Sequence, residues 1–472
     1  MQYADLDEIF NAFEKDEKSG AEANDIIKGF EEQPQNEERS DEIIKGFEED
    51  DEEKEADKAP VEEKPSTWSL DGEFKFTTSY NFAHRKPAPG QTDWRGLSML
   101  RPELELALTK KIFDSWQARF SVRGFYDVVY VLKDRENYTE QVLDDYEKEL
   151  EIEDAYIQGN LTDSLDLKAG RQIVVWGTFD NLRVTDVLNP LDLRVPGLTD
   201  IDDLRLPLTM IKLDYYFNHW NLGGMVLPEI RFRKLPVFGS DFYPFPLPPP
   251  SEDEPQDGFE NAEFAASLSG VFSGWDLAFY WADIYDDAPH TELASPGPPP
   301  KLEQKHARIK MVGAAFNIAA GNWLLKAETA WFDRLRFTNT PGVEYSRFDL
   351  GAGVEYAGFQ DAAVSLEIAN RHINDYDKLL EQPPDEIRKN EFQWAFRITK
   401  DLLNDTLTLT LLAATFGLKA EDGSFQRFDT EYDVTDAVSI RGGAVFYQSG
   451  DLGRFKNIGG NDRLFFEIKH SF

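Results

Sequence analysis

Arg463-Leu464-Phe465-Phe466-Glu467-Ile468-Lys469-His470-Ser471-Phe472 ends the chain, and in it Leu464, Phe466, Ile468, His470 and Phe472 share one face. Side chains of a strand alternate between two faces, so this spacing predicts a half-buried strand that stops on an aromatic residue. One such strand is common in soluble sheets as well. The residues before it carry the decision, because they repeat the same kind of segment with turns between.

The first repeat sets Trp68, Leu70, Gly72, Phe74, Phe76, Thr78, Tyr80 and Phe82 on one face. Further clear cases are Trp116 to Val122, Phe348 to Tyr356, Phe392 to Ile398 and Val438 to Phe446. Short turns are expected near 113–115, 162–164, 218–219, 273–274, 320–322, 358–361, 403–405 and 435–436. Longer polar or Pro-rich connections fall between them at 83–96, 133–146, 177–205, 232–260, 286–306, 337–345, 375–390 and 450–461. Hairpins with short turns at one end and long loops at the other predict a transmembrane antiparallel β-barrel of the bacterial outer membrane, its short turns periplasmic. The count is about eighteen strands, or sixteen if a weak segment is loop, and an even count puts both barrel ends in the periplasm. Phe472 would close the barrel on the first strand, and it resembles the terminal signal read by the barrel-assembly machinery. A soluble solenoid or propeller would show a constant repeat length, which is lacking here.

Composition agrees once a barrel is considered. Net charge is -38 among 472 residues, and mean hydropathy is -0.51. Lipid-facing and lumen-facing residues cancel in such an average, so a barrel looks soluble by hydropathy. No apolar run is long enough for a helical span. Thirty-five Phe, 17 Tyr and 10 Trp suit girdles of aromatic residues at the interfaces with outer-membrane lipids. Cysteine is absent, which removes disulfides and thiolate metal sites. The acidity argues against nucleic acid. No basic-then-apolar leader opens the chain, so the numbering is expected to begin near the mature end.

Residues 1–66 differ from the expected barrel domain, 67–472. DEIFNAFE from Asp7, NDIIKGFE from Asn24 and DEIIKGFE from Asp41 recur with a period of 17. The remainder is acidic and small, a composition expected to be disordered. In each copy Ile9, Phe10 and Phe13; Ile26, Ile27 and Phe30; or Ile43, Ile44 and Phe47 make one helical stripe after a capping Asp or Asn. The plain reading is a solvating spacer. The repeated register favours a periplasmic tail that docks a partner through three weak anchors acting together.

Charged residues opposite the apolar faces are expected in the lumen: Arg119, Arg123, Lys326, Glu328, Arg347, Asp349, Glu355, Glu367, Arg371, Arg397, Asp429, Glu431 and Arg441. Both signs alternate between neighbouring strands, which suits cross-strand pairs better than an ion-selective ladder. The Pro-rich runs Phe242 to Pro250 and Pro296 to Pro300 either fold inward as a constriction or stand outside as stiff walls. Six scattered histidines form no catalytic or metal-binding spacing, so no enzyme, no metal and no cofactor is expected.

One stretch is more specific: EDAYIQGNLTDSLDLKAGRQIVVWG from Glu153, then Asn189-Pro190-Leu191-Asp192. It resembles the Gram-negative outer-membrane family known as domain of unknown function 1302, through Asp154-Ala155-Tyr156, Gly170-Arg171-Gln172, Trp176-Gly177 and the Asn-Pro element. The likeness is clearest over about 150–250. It implies a partner of inner-membrane transporters of the resistance-nodulation-division (RND) type and of periplasmic carriers, in a trans-envelope path for hydrophobic or lipidic substrates. A general diffusion porin with the tail as spacer is the alternative. Arg171, Trp176, Asn189 and Pro190 then belong to the lumen or an inward loop that they shape, since Gly170 and Gly177 suit close approach and Asn189-Pro190 starts a turn.

Overall fold

The computed structural model describes residues 67–472 except 89, 199–203, 296, 298–299 and 452–454. The tail anchors at Ile9, Phe10, Phe13, Ile26, Ile27, Phe30, Ile43, Ile44 and Phe47 lie outside the described residues, as does the expectation of tail disorder.

Strands follow one another as β1 (Trp68–Asn81), β2 (Gly96–Phe113), β3 (Trp116–Tyr126), β4 (Lys148–Thr162), β5 (Leu165–Gln172), β6 (Leu208–Phe217) and β7 (Trp220–Leu227). Next come β8 (Ser251–Asp253), β9 (Glu263–Phe272), β10 (Trp275–Tyr285), β11 (His290–Ser295), β12 (Lys301–Lys305), β13 (Arg308–Ala320) and β14 (Trp323–Leu335). The last are β15 (Tyr345–Phe359), β16 (Ala362–Ile373), β17 (Asn390–Leu402), β18 (Leu407–Phe416), β19 (Gly423–Thr435), β20 (Val438–Gln448) and β21 (Arg463–Ser471). Eighteen of them form one antiparallel sheet, each strand pairing with the next, and β21 pairs back onto β1. Closure gives every barrel strand a neighbour on both sides, the condition for a sheet to cross lipid.

The closing seam pairs Glu73 to Asn81 with Arg463 to Ser471, and Phe472 extends it. Gly72 and Phe472 exchange both backbone hydrogen bonds at 2.8 Å. A Cβ on Gly72 would stand 2.4 Å from the Phe472 ring, so only glycine lets the terminal aromatic lie over the first strand.

Seven of the short connections have two residues and the one after β17 has four. Left-handed residues build several of them, among them Asn218 (φ 53°), Gly274 (φ 82°) and Asp361 (φ 46°). The opposite end carries nine connections, named L1 to L9 here: 82–95, 127–147, 173–207, 228–262, 286–307, 336–344, 374–389, 417–422 and 449–462. L8 is absent from the sequence expectation; its few residues between two alternating strands give no loop-like composition. L5 holds the hairpin β11–β12, which β8 of L4 extends in parallel. L2 folds into helices α1 (Val129–Leu132) and α2 (Glu140–Tyr146).

Outward positions carry Leu70, Phe120, Ile211, Leu222, Phe279, Val312, Trp331, Leu350, Phe428, Leu464 and Phe466, all exposed. A continuous apolar skin of this extent is matched to lipid, not to water.

Candidate functional site

L3 leaves the wall after Gln172 and returns at Leu208, and its roots are drawn together by one side chain. The Asn189 carbonyl accepts from the Val174 N–H at 2.9 Å, and its amide donates to the Leu206 carbonyl at 2.8 Å. The Leu206 N–H donates to the Pro190 carbonyl at 2.7 Å, and Leu191 bridges Arg205 antiparallel. Between Trp176 and Leu188 the chain rounds into a lobe held by Arg183, which donates to the carbonyls of Asp186 (2.6 Å) and Asn189 (2.9 Å). Arg205 adds an ion pair to Asp186 at 3.2 Å.

The lobe is fastened to strands far round the ring from its root. Glu328 on β14 accepts from the N–H groups of Thr178, Phe179 (2.8 Å) and Thr185 (3.0 Å) and from the Thr185 hydroxyl (2.7 Å). Glu367 on β16 accepts from Asp180 and Asn181, each at 2.8 Å. Lys326 pairs with Asp180. Five backbone donors that no sheet or helix satisfies thus find buried carboxylates, and those charges find donors in return. Phe179 lies over Gly351, where a Cβ would come within 2.3 Å of its ring. The Trp176 indole stacks on Tyr280 at 4.7 Å.

The second half of L3 faces another sector. Leu191, Leu193, Leu198 and Leu204 are buried with Met99, Leu412, Phe425, Val445 and Phe465, which stand on β2 and β18 to β21. Tyr447 donates to the Pro196 carbonyl. Arg194 joins Asp192 and Glu149 and takes the Tyr146 hydroxyl on its carbonyl at 3.1 Å. Burial alone would raise the Asp192 carboxyl, but Arg194 and Lys234 outweigh it and hold it well below the usual carboxylate range. L3 therefore touches walls on separate sides of an eighteen-strand ring and crosses the lumen between them.

Between the lobe and the β10 to β17 wall lies a cavity of about 100 Å³. Val184, Leu188, Ile309, Phe332 and Ile373 give it an apolar floor, and Arg183, Arg231, Arg233, Arg347 and Arg371 bring guanidinium groups to its margin. Arg347 holds Asp349 through two bonds of 2.9 Å, and Arg371 stands 3.7 Å from the same carboxylate.

The residues singled out by sequence divide into groups. Trp176, Asn189, Pro190 and Glu367 meet in L3 and its anchors, and Arg347 and Arg371 line the cavity. Arg119 and Arg123 sit apart in cross-strand pairs with Asp154 and Glu153, both at 2.8 Å. Arg397 is buried on β17. Arg171 starts from the outward register of Leu167 and Ala169 and bends over the end of β5 to Glu151 (2.7 Å) and Glu229 (2.5 Å). Phe179, Tyr280 and Arg194 carry no sequence signal, because their partners are distant in the chain.

A family model described as "Protein of unknown function (DUF1302)" matches residues 94–472. No curated protein matches the chain. Among solved structures, Acinetobacter baumannii OccAB3 is 11% identical with a TM-score of 0.53, the match covering 86% of this chain and 99% of that one. OccAB2 of the same organism is 12% identical with a TM-score of 0.51, covering 86% and 98%. Pseudomonas aeruginosa OpdK, solved with vanillate, is 10% identical with a TM-score of 0.50, covering 86% and 98%. At these identities the likeness is one of fold.

Proposed function

Since the chain belongs to the DUF1302 family and folds as an outer-membrane β-barrel, we propose that it is the outer-membrane component of a trans-envelope path for hydrophobic or lipidic substrates. The observation that carries this reading is L3. A diffusion pore needs a wet bore, whereas here a loop with its own apolar packing spans the lumen. What it leaves beside the wall is a cavity with apolar side chains and a margin of arginines set among the carboxylates Asp186, Glu263, Asp286, Asp287 and Glu391, suited to a molecule with a greasy body and a polar end.

In this reading the N-terminal tail works in the periplasm, the side of the short turns. Its three motifs capture a periplasmic carrier or an inner-membrane transporter of the RND type. Affinity purification from native envelopes tests this with the full chain, a chain lacking residues 1–60, and a chain with Phe13, Phe30 and Phe47 all changed to Ala. An RND-type transporter or its carrier retained by the full chain alone is the expected result. Equal capture by all three would make the tail a spacer. The reading would then pass to a general diffusion porin, for which steady conductance is the mark.

A further inference from the structure

The barrel wall is uneven in height. β2 and β4 have 18 and 15 residues, whereas β5, β6 and β7 have 8, 10 and 8. Eight tilted residues rise roughly 20 Å, less than the apolar band of roughly 25 Å that such barrels present to lipid. β5 pairs with β4 only over Ala155 to Thr162. The segment Lys148 to Asp154 of β4 therefore has no strand on its β5 side.

Side chains fill this notch where a backbone ladder would stand elsewhere. Arg171 donates to the Ile152 carbonyl at 2.7 Å and pairs with Glu151 and Glu229. Arg231 holds Glu151 at 2.7 Å, and Lys234 reaches Glu149 at 3.0 Å. Three cations and three carboxylates thus meet at the edge of a lipid-facing surface, a costly place for charge without a use. The apolar skin runs right up to them, with Leu150 79% and Val175 56% exposed. Behind them lies the cavity under L3, because Arg231 lines both.

We propose that this notch is a lateral portal through which an anionic, acyl-bearing lipid passes between the outer leaflet and the cavity beneath L3. The inference rests on the lipidic reading above and gives it a substrate class and a route. A carboxylate or phosphate headgroup exchanges with Glu151 and Glu229 on Arg171 and Arg231, so no cation is left bare during passage. The chain follows into the apolar space beside Val187 and Leu188.

The absence of cysteine makes the test clean. Glu151→Cys and Lys234→Cys, a pair 3.3 Å apart that leaves Arg171 and Arg231 in place, are joined by a reducible bis-maleimide in outer membranes that also carry a photoreactive benzophenone residue in place of Val187. The pair Glu149→Cys and Lys234→Cys serves as the second tether. The expected result is a lipid adduct at position 187 that is lost when either tether is closed and returns on reduction. Its mass separates a fatty-acid source from a phospholipid one. An adduct of equal yield with the tethers closed overturns the portal and leaves the lipidic function standing. No lipid adduct in any state overturns both.

Discussion

The wall from β13 to β16 and the wall from β5 to β7 follow the same alternation of outward apolar and inward polar residues, yet they solve different problems. The first has strands of 12 to 15 residues, paired along nearly their full length, and uses inward carboxylates to hold a loop. In the second, the eight-residue β5 and β7 are too short to span the apolar band, and guanidinium groups cover what the ladder leaves open. In a barrel, then, buried charge serves two ends. It positions a loop where the wall is complete, and it seals the wall where it is not.

The largest effect should come from cutting the tall wall's hold. Glu328→Ala with Glu367→Ala leaves five N–H groups of L3 without acceptors, at on the order of 1–3 kcal/mol each. L3 should become open to protease, and conductance across a planar bilayer should rise. Glu-to-Gln changes, which keep an acceptor, should do less.

Arg171→Ala probes the low wall. It uncaps the Ile152 carbonyl and leaves Glu229 with only Thr209 as donor, at about 2 kcal/mol after allowance for partial exposure. Thermal unfolding should come earlier while axial conductance stays unchanged. If conductance rose as much as in the carboxylate variant, the two walls would not differ in role.

Gly351→Val is a steric version of the first change. The added Cβ meets the Phe179 ring, and overpacking of this kind costs about 1–3 kcal/mol. Greater protease sensitivity near Phe179, with the barrel intact, is the expected outcome.

The smallest effect concerns pH. Asp192 is held below its ordinary value, so its contribution is complete above the usual carboxylate range and lost only as pH falls through the depressed value. Protection of the amides in 191–194, taken as exchange relative to the intrinsic rate at each pH, should therefore stay level between about pH 5 and 8. A loss of protection within that interval would mean that Arg194 does not hold the carboxylate.

Much of the wall was legible from sequence because its code is local. Alternation marks a strand, and Asn218-His219 or Ser273-Gly274 marks a two-residue turn. The lumen was legible only in part. Lys326, Glu328, Glu367 and Arg371 could be assigned inward by register, and the Asn189-Pro190 element pointed to a shaped loop. That Glu328 receives Thr178 and Thr185 could not be read, since 143 or more residues separate them. Alternation alone does not show that Arg171 starts outward and bends round to Glu151 and Glu229, because this depends on where β5 stops.

Conductance of the full chain in a planar bilayer tests the central claim most directly. With L3 fastened to both sides of the lumen, the account predicts little steady current, and a clear gain when Glu328 and Glu367 are replaced by Ala. A large, steady conductance in the unaltered protein, unaffected by those substitutions, would contradict it and mark the barrel as a diffusion pore.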